Sequence, residues 1–151
     1  VQYILDNPLT SIITNLQGTE IVLQLCSKFK KKILIASTSE VYGKHTHAPL
    51  EETDDCIYGP SVKSRWSYAA AKLMDEFTAL AYHKTKQLEV VVVRFFNTVG
   101  PKQTGRYGMV LPRFVSKALS NEMIPVYGNG DQTRTFTHVE EVVNSIMKLI
   151  R

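Results

Sequence analysis

Glu89-Val90-Val91-Val92-Val93-Arg94-Phe95-Phe96 is an unbroken run of β-branched and aromatic side chains. It is short enough for a strand and apolar at consecutive positions, as a strand buried on both faces of a parallel sheet must be. Arg65 to Lys86, before it, has helical spacing through Tyr68, Leu73, Phe77, Leu80 and Tyr82. Ile33-Leu34-Ile35-Ala36-Ser37 reads as a second buried strand, and Pro8 to Phe29 as another helix, with Ile12, Leu16, Thr19, Val22, Leu23 and Cys26 at three- and four-residue steps. Helix, strand, helix, strand is the pattern of a right-handed, doubly wound α/β fold.

In open parallel sheets, ligands bind beyond the carboxyl ends of the strands. The first strand ends in Thr38-Ser39-Glu40 and the second in Asn97-Thr98-Val99-Gly100-Pro101, so both endings are candidate site elements. After Pro101 the pieces shorten: a loop to Gly108, a helix from about Leu111 to Leu119, a strand at Ile124 to Tyr127, a turn at Gly128-Asn129-Gly130-Asp131, a strand-like Thr133 to Val139, and a helix from Glu140. They read as part of a cap. Lys44 to Ser64 shows neither helix nor strand, and its length exceeds that of an ordinary structureless loop.

Trp66-Ser67-Tyr68-Ala69-Ala70-Ala71-Lys72 puts a phenol and an ammonium on one face of a helix. At roughly 4–6 Å and an effective dielectric of about 20, the ammonium would favour the phenolate by roughly 3–4 kcal/mol, enough to make tyrosine a base near neutral pH. Asn15 and Gly18 are poor helix formers inside the first helix. Either packing covers the fault, or Asn15 points to a ligand and Gly18 admits a close neighbour.

The 151 residues are 44% hydrophobic, enough for one packed domain. No apolar run reaches the roughly 18 residues of a membrane span, and the start lacks a signal-peptide pattern, so no membrane association and a cytoplasmic location are expected. Cys26 and Cys56 have no disulfide or zinc spacing, and His45-x-His47 with Glu51, Glu52, Asp54 and Asp55 reads as solvated, so no metal is expected. The net charge of +4 is densest at Lys28 to Lys32, where a helix should end and cations complement its dipole. Nucleic acid is therefore not an expected partner; a small anionic substrate suits the charge.

Five segments together resemble the extended short-chain dehydrogenase/reductase family, and within it the nucleoside-diphosphate-sugar epimerases and dehydratases. They are Asn15 to Thr19, Ser37 to Gly43, Ser67 to Lys72, Arg94 to Pro101 and Val126 to Arg134, in the family's order. The resemblance implies the later part of a Rossmann-like sheet plus part of a small substrate-binding cap. Residues 1–100 would be a partial NAD-binding domain lacking the N-terminal Gly-rich turn, and 101–151 a partial substrate-binding region. It implies NAD as cofactor, taking a hydride from the sugar ring and returning it, with Tyr68 as base, Lys72 assisting and holding the ribose, and Thr38 binding the reacting oxygen. Asn15, Tyr68, Lys72 and Phe96 would line the cofactor site, and Thr38, Asn97, Tyr127 and Arg134 the substrate site.

Glu141 stands where these look-alikes usually carry Asp. Ser39-Glu40 after Thr38 disfavours dehydration, which usually uses Asp-Glu there, and leaves a nucleotide-sugar decarboxylase open. The Trp66-Ser67-Tyr68 lead-in and Thr104 to Gly108 resemble UDP-glucose epimerase homologues, so epimerisation of UDP-glucose and UDP-galactose is the favoured expectation. A homodimer through the two long helices is expected, and a non-catalytic dimerisation or binding fragment is the alternative from another class. Without a Gly-rich turn to cradle the pyrophosphate, the fragment itself is expected to be inactive.

Overall fold

Asn7 precedes a proline that suits the first turn of a helix, and α2 (Pro8–Phe29) begins there; a short α1 (Gln2–Asp6), which the spacing does not reveal, comes before it. α2 stops at Lys30 in the left-handed conformation, where the Lys31 N–H donates to the Cys26 carbonyl at 2.9 Å and closes the last turn. The computed structural model describes residues 2–105 and 109–151; Arg106, Tyr107 and Gly108 of the epimerase-like loop lie outside the described residues.

β1 (Ile33–Thr38) pairs in parallel with β2 (Val90–Phe95), in register from Ile33 opposite Val90 to Thr38 opposite Phe95. Between them run a 3-10 turn (Ser39–Tyr42), a long loop, a second 3-10 turn (Ser64–Trp66) and α3 (Ser67–Lys86). Strand alternation sends Ile33, Ile35 and Ser37 towards the helices. There Ile33 and Ile35 join Leu23 of α2, Ala79 of α3 and Leu88 in the core, with Cys26, Tyr82, Val90 and Val92 packed around them.

The loop after Tyr42 is closed at its base by a bridge between Gly43 and Ile57, where Lys44 N–H donates to the Ile57 carbonyl at 2.8 Å. Gly43 has φ +71°, and any Cβ there would run into that carbonyl, so glycine is required. The loop is more ordered than its composition predicts. Asp54 Oδ2 accepts from Glu51 N–H at 2.7 Å and lies 3.2 Å from His47 Nε2, and the His45 and His47 Nδ1 atoms are 3.1 Å apart. Among the described residues no group of three or more His, Cys, Asp and Glu could hold a metal.

The chain divides into two units, Ile4–Phe95 and Phe96–Leu149. In the second, Asn97–Val99 is itself a strand, β3, paired in parallel with β4 (Phe136–His138); α4 (Val110–Leu119) and α5 (Val139–Leu149) complete it. The expected strand at Ile124 to Tyr127 does not form: Pro125 has no N–H to give a ladder, and the segment is irregular. Thr133 to Val139 keeps only the three residues of β4 as strand. The Gly128 to Asp131 turn is present, with Gly128 and Gly130 at positive φ and Gln132 Nε2 donating to the Tyr127 carbonyl at 2.9 Å. Of the two readings of Gly18, the close neighbour is not found: a Cβ there would meet nothing within 4 Å among the described residues.

Candidate active site

Thr38 is the last residue of β1 and caps the following 3-10 turn, its Oγ1 accepting from Glu40 N–H at 3.2 Å. Accepting that bond leaves the hydroxyl proton of Thr38 available to donate. The Tyr58 hydroxyl donates to the Val41 carbonyl at 2.8 Å and so ties the loop to this turn. α3 packs on the same turn, and Glu40 lies close enough to Tyr68 for its charge to act on the phenol.

Tyr68 is half-buried, and its phenol is pushed above the ordinary tyrosine value of about 10 by burial first, then by the charges of Glu40 and Asp75. The direction is the reverse of the expected phenolate stabilisation, with burial as the leading cause. Lys72 Nζ donates to Asp75 Oδ2 at 2.8 Å, and this pair is 12% and 1% exposed, so the ammonium is engaged one turn beyond the phenol. Asp75 Oδ1 is buried with no hydrogen-bond partner among the described residues.

The next residue of α3 is an equally buried carboxylate in a different state. Glu76 takes Arg94 of β2 through Nε and Nη2, the latter at 2.7 Å, and also accepts from the Ser37 hydroxyl. Arg94 in turn lies over the Tyr42 ring at 4.7 Å and donates through Nη1 to the Glu52 carbonyl at 3.2 Å. This network locks β1, β2, α3 and the loop together beneath Thr38. The apolar spacing of α3 does not single out Asp75 or Glu76. The available signal was Arg94 inside a valine run, since a cation in a buried strand demands a buried carboxylate.

The remaining expected residues do not all meet. Asn15 is half-buried, and its Nδ2 donates to the Ser11 carbonyl of its own helix at 2.7 Å. In the second unit Phe96 is 38% exposed, Asn97 Nδ2 donates to the Thr135 carbonyl at 2.9 Å, Tyr127 is 72% exposed, and Arg134 Nη1 donates to the Thr133 carbonyl at 2.6 Å.

For a dinucleotide, the fit is at one end. Of the three N–H donors of an ammonium, Asp75 takes one from Lys72, which leaves two for a ribose diol. The pyrophosphate end has no counterpart, because no G-x-x-G-x-x-G occurs in these residues.

Parallel strands, the first ending in a threonine with a carboxylate two residues on, and a helix bearing Tyr-x-x-x-Lys define a Rossmann-like α/β protein. The model of the NAD dependent epimerase/dehydratase family matches residues 2–151, and the chain belongs to that family. It is 44% identical over 146 residues to a UDP-N-acetyl-alpha-D-glucosaminuronate decarboxylase of Bacillus cytotoxicus, covering 96% of this chain and 45% of that protein. Among solved structures it is similar to a UDP-N-acetylglucosamine 4-epimerase from Methanobrevibacter ruminantium in complex with UDP-N-acetylmuramic acid, with TM-score 0.87, 29% identity, and 97% and 46% of the two chains covered. It is also similar to a dTDP-glucose 4,6-dehydratase from Bacillus anthracis in complex with NAD, with TM-score 0.81, 31% identity, and 93% and 43% covered. The chain thus spans less than half the length of each of these relatives. Among the described residues no helix is long and apolar enough to cross a membrane.

Proposed function

We propose that this chain supplies the acid–base part of an NAD-dependent enzyme acting on a nucleoside-diphosphate sugar, and that the reaction is decarboxylation of a uronic acid. The observation that carries the reading is the 44% identity to a UDP-sugar decarboxylase across nearly the whole chain. Ser39-Glu40 after Thr38 agrees with it, since that pairing also occurs in nucleotide-sugar decarboxylases. NAD, when bound, supplies the hydride acceptor and donor. Tyr68 removes the proton from a sugar hydroxyl, Thr38 donates a hydrogen bond to the same oxygen, and Lys72 holds the nicotinamide ribose. Glu40, close enough to act on the charge of Tyr68, is the carboxylate available for a second proton transfer.

Ile4–Phe95 is then the cofactor side, contributing Asn15, Tyr68 and Lys72. Phe96–Leu149 is the substrate side, with Asn97, Tyr127 and Arg134 on the nucleotide and its diphosphate; Phe96, at the boundary, lines the cofactor. Leu9, Ile21, Leu25 and Phe29 of α2 and Phe77 and Leu80 of α3 are each at least half exposed, and they support a homodimer through these helices.

The second reading is a UDP-sugar 4-epimerase, supported by the likeness to the archaeal epimerase. The test is to supply the full-length protein and NAD with UDP-glucuronic acid, with its N-acetylglucosamine counterpart, and with UDP-glucose. Release of carbon dioxide is expected from a uronic acid. Tyr68→Phe should lower turnover by a factor on the order of 10²–10⁴ while NAD stays bound. A C4 epimer formed without carbon dioxide would replace the first reading by the second.

A further inference from the structure

Asp75 and Glu76 are adjacent and almost fully buried, at 1% and 4% exposure, yet they differ in how they are satisfied. Glu76 is filled by the Arg94 fork and the Ser37 hydroxyl; Asp75 has Lys72 on one oxygen and nothing on the other. A buried ion pair with an unfilled oxygen is a poor stability device. Helix electrostatics do not explain it either, because the acid lies C-terminal to the base, the less favourable order.

The placement has a geometric effect on the neighbouring phenol. Helical side chains lean towards the N-terminus, so the stem of Lys72 leans towards the turn that carries Tyr68. Its ammonium, however, is drawn the other way, to Asp75 Oδ2 at 2.8 Å.

We propose that Asp75 is a positioning residue for the Tyr68–Lys72 pair: by holding the ammonium away from the phenol, it sets the pH at which Tyr68 can act as a base. This rests on the reading of Tyr68 as that base. The other charges around the pair are accounted for. Glu40 on the 3-10 turn acts on Tyr68; Glu76 is paired with Arg94 of β2; Glu20 of α2 accepts from the Tyr82 hydroxyl; Arg65 and Lys44 lie over the Trp66 ring. Among the described residues Asp75 is the one counter-charge that touches Lys72. The upward push on the phenol accords with this arrangement.

Removing the Asp75 charge frees the ammonium and removes a negative neighbour, and both changes favour the phenolate. The midpoint of Tyr68 therefore falls. The experiment is an NMR titration of ring-labelled tyrosine in the full-length, cofactor-free protein, with the Tyr68 signal assigned through Tyr68→Phe. Asp75→Asn and the smaller Asp75→Ser should each lower the midpoint by about one pH unit or more. In a Lys72→Met background, Asp75→Asn should shift it less, because one of the two routes is gone. In the holoenzyme, the rising limb of turnover against pH should move down with the midpoint. An unchanged or raised midpoint in both folded variants would overturn the proposal. Absence of turnover on any nucleotide sugar would instead count against the function proposed above and leave the titration standing as the test.

Discussion

Ile4–Phe95 and Phe96–Leu149 solve the same folding problem to different depths. The first buries Leu23, Ile33, Ile35, Ala79 and Leu88 against one another and sets a saturated ion pair beside them. In the second, none of the described residues is buried, although α4 and α5 carry apolar side chains such as Leu111, Val115, Val143 and Met147, all exposed. A parallel pair of strands with helices packed over it closes a core by itself, whereas two three-residue strands leave amphipathic helices without a surface to cover. The lesson is that stability is held in the first unit, the one that also carries Thr38, Tyr68 and Lys72.

The sharpest way to break this comparison is at Arg94. Arg94→Met would leave the Glu76 carboxylate buried and unpaired, which costs about 3–5 kcal/mol. A denaturant melt should show the midpoint falling at constant slope; a loss below about 1 kcal/mol would mean that the pair is a surface ornament. A paired measurement comes next. Leu23→Ala should cost about 2–5 kcal/mol, and Leu119→Ala, at a position 81% exposed, no more than about 0.5 kcal/mol. Equal losses would erase the contrast between the units.

The smallest effect concerns the loop. Hydrogen bonding from Glu51 N–H, ahead of the contributions of His47, holds the Asp54 carboxyl below the ordinary aspartate value. A depressed carboxyl contributes stability above its unfolded value and loses it as pH falls through the folded one. Protection of the Glu51 amide from hydrogen exchange should therefore weaken only below about pH 4, and Asp54→Asn should flatten that dependence.

The parts of this molecule that obey a period could be read in advance. α2 runs from Pro8 to Phe29 as its spacing requires, and β1 and β2 fall within a residue or so of their apolar runs. The strand end that carries Thr38 and the helix that carries Tyr68 were legible for the same reason, and both residues lie on the elements expected of them. What could not be read was which partner a charged side chain chooses. Tyr68 and Lys72 share a face by spacing, but Asp75 shares that face too, and only burial shows which of the two holds the ammonium. Ile124 to Tyr127 failed through a simpler oversight, since Pro125 in an apolar run argues against a strand.

The Gly43–Ile57 bridge has one more consequence. Because the two ends of the intervening segment are already fixed side by side, adding residues to its middle changes only the entropy of closing a longer ring, about 0.6 kcal/mol for each doubling. That makes the segment a natural place for variation: insertions could build new walls over the Tyr68 edge while the ion pair beneath and the register of β1 stay as they are. Variation there is like changing the bit in a drill, with the chuck left untouched.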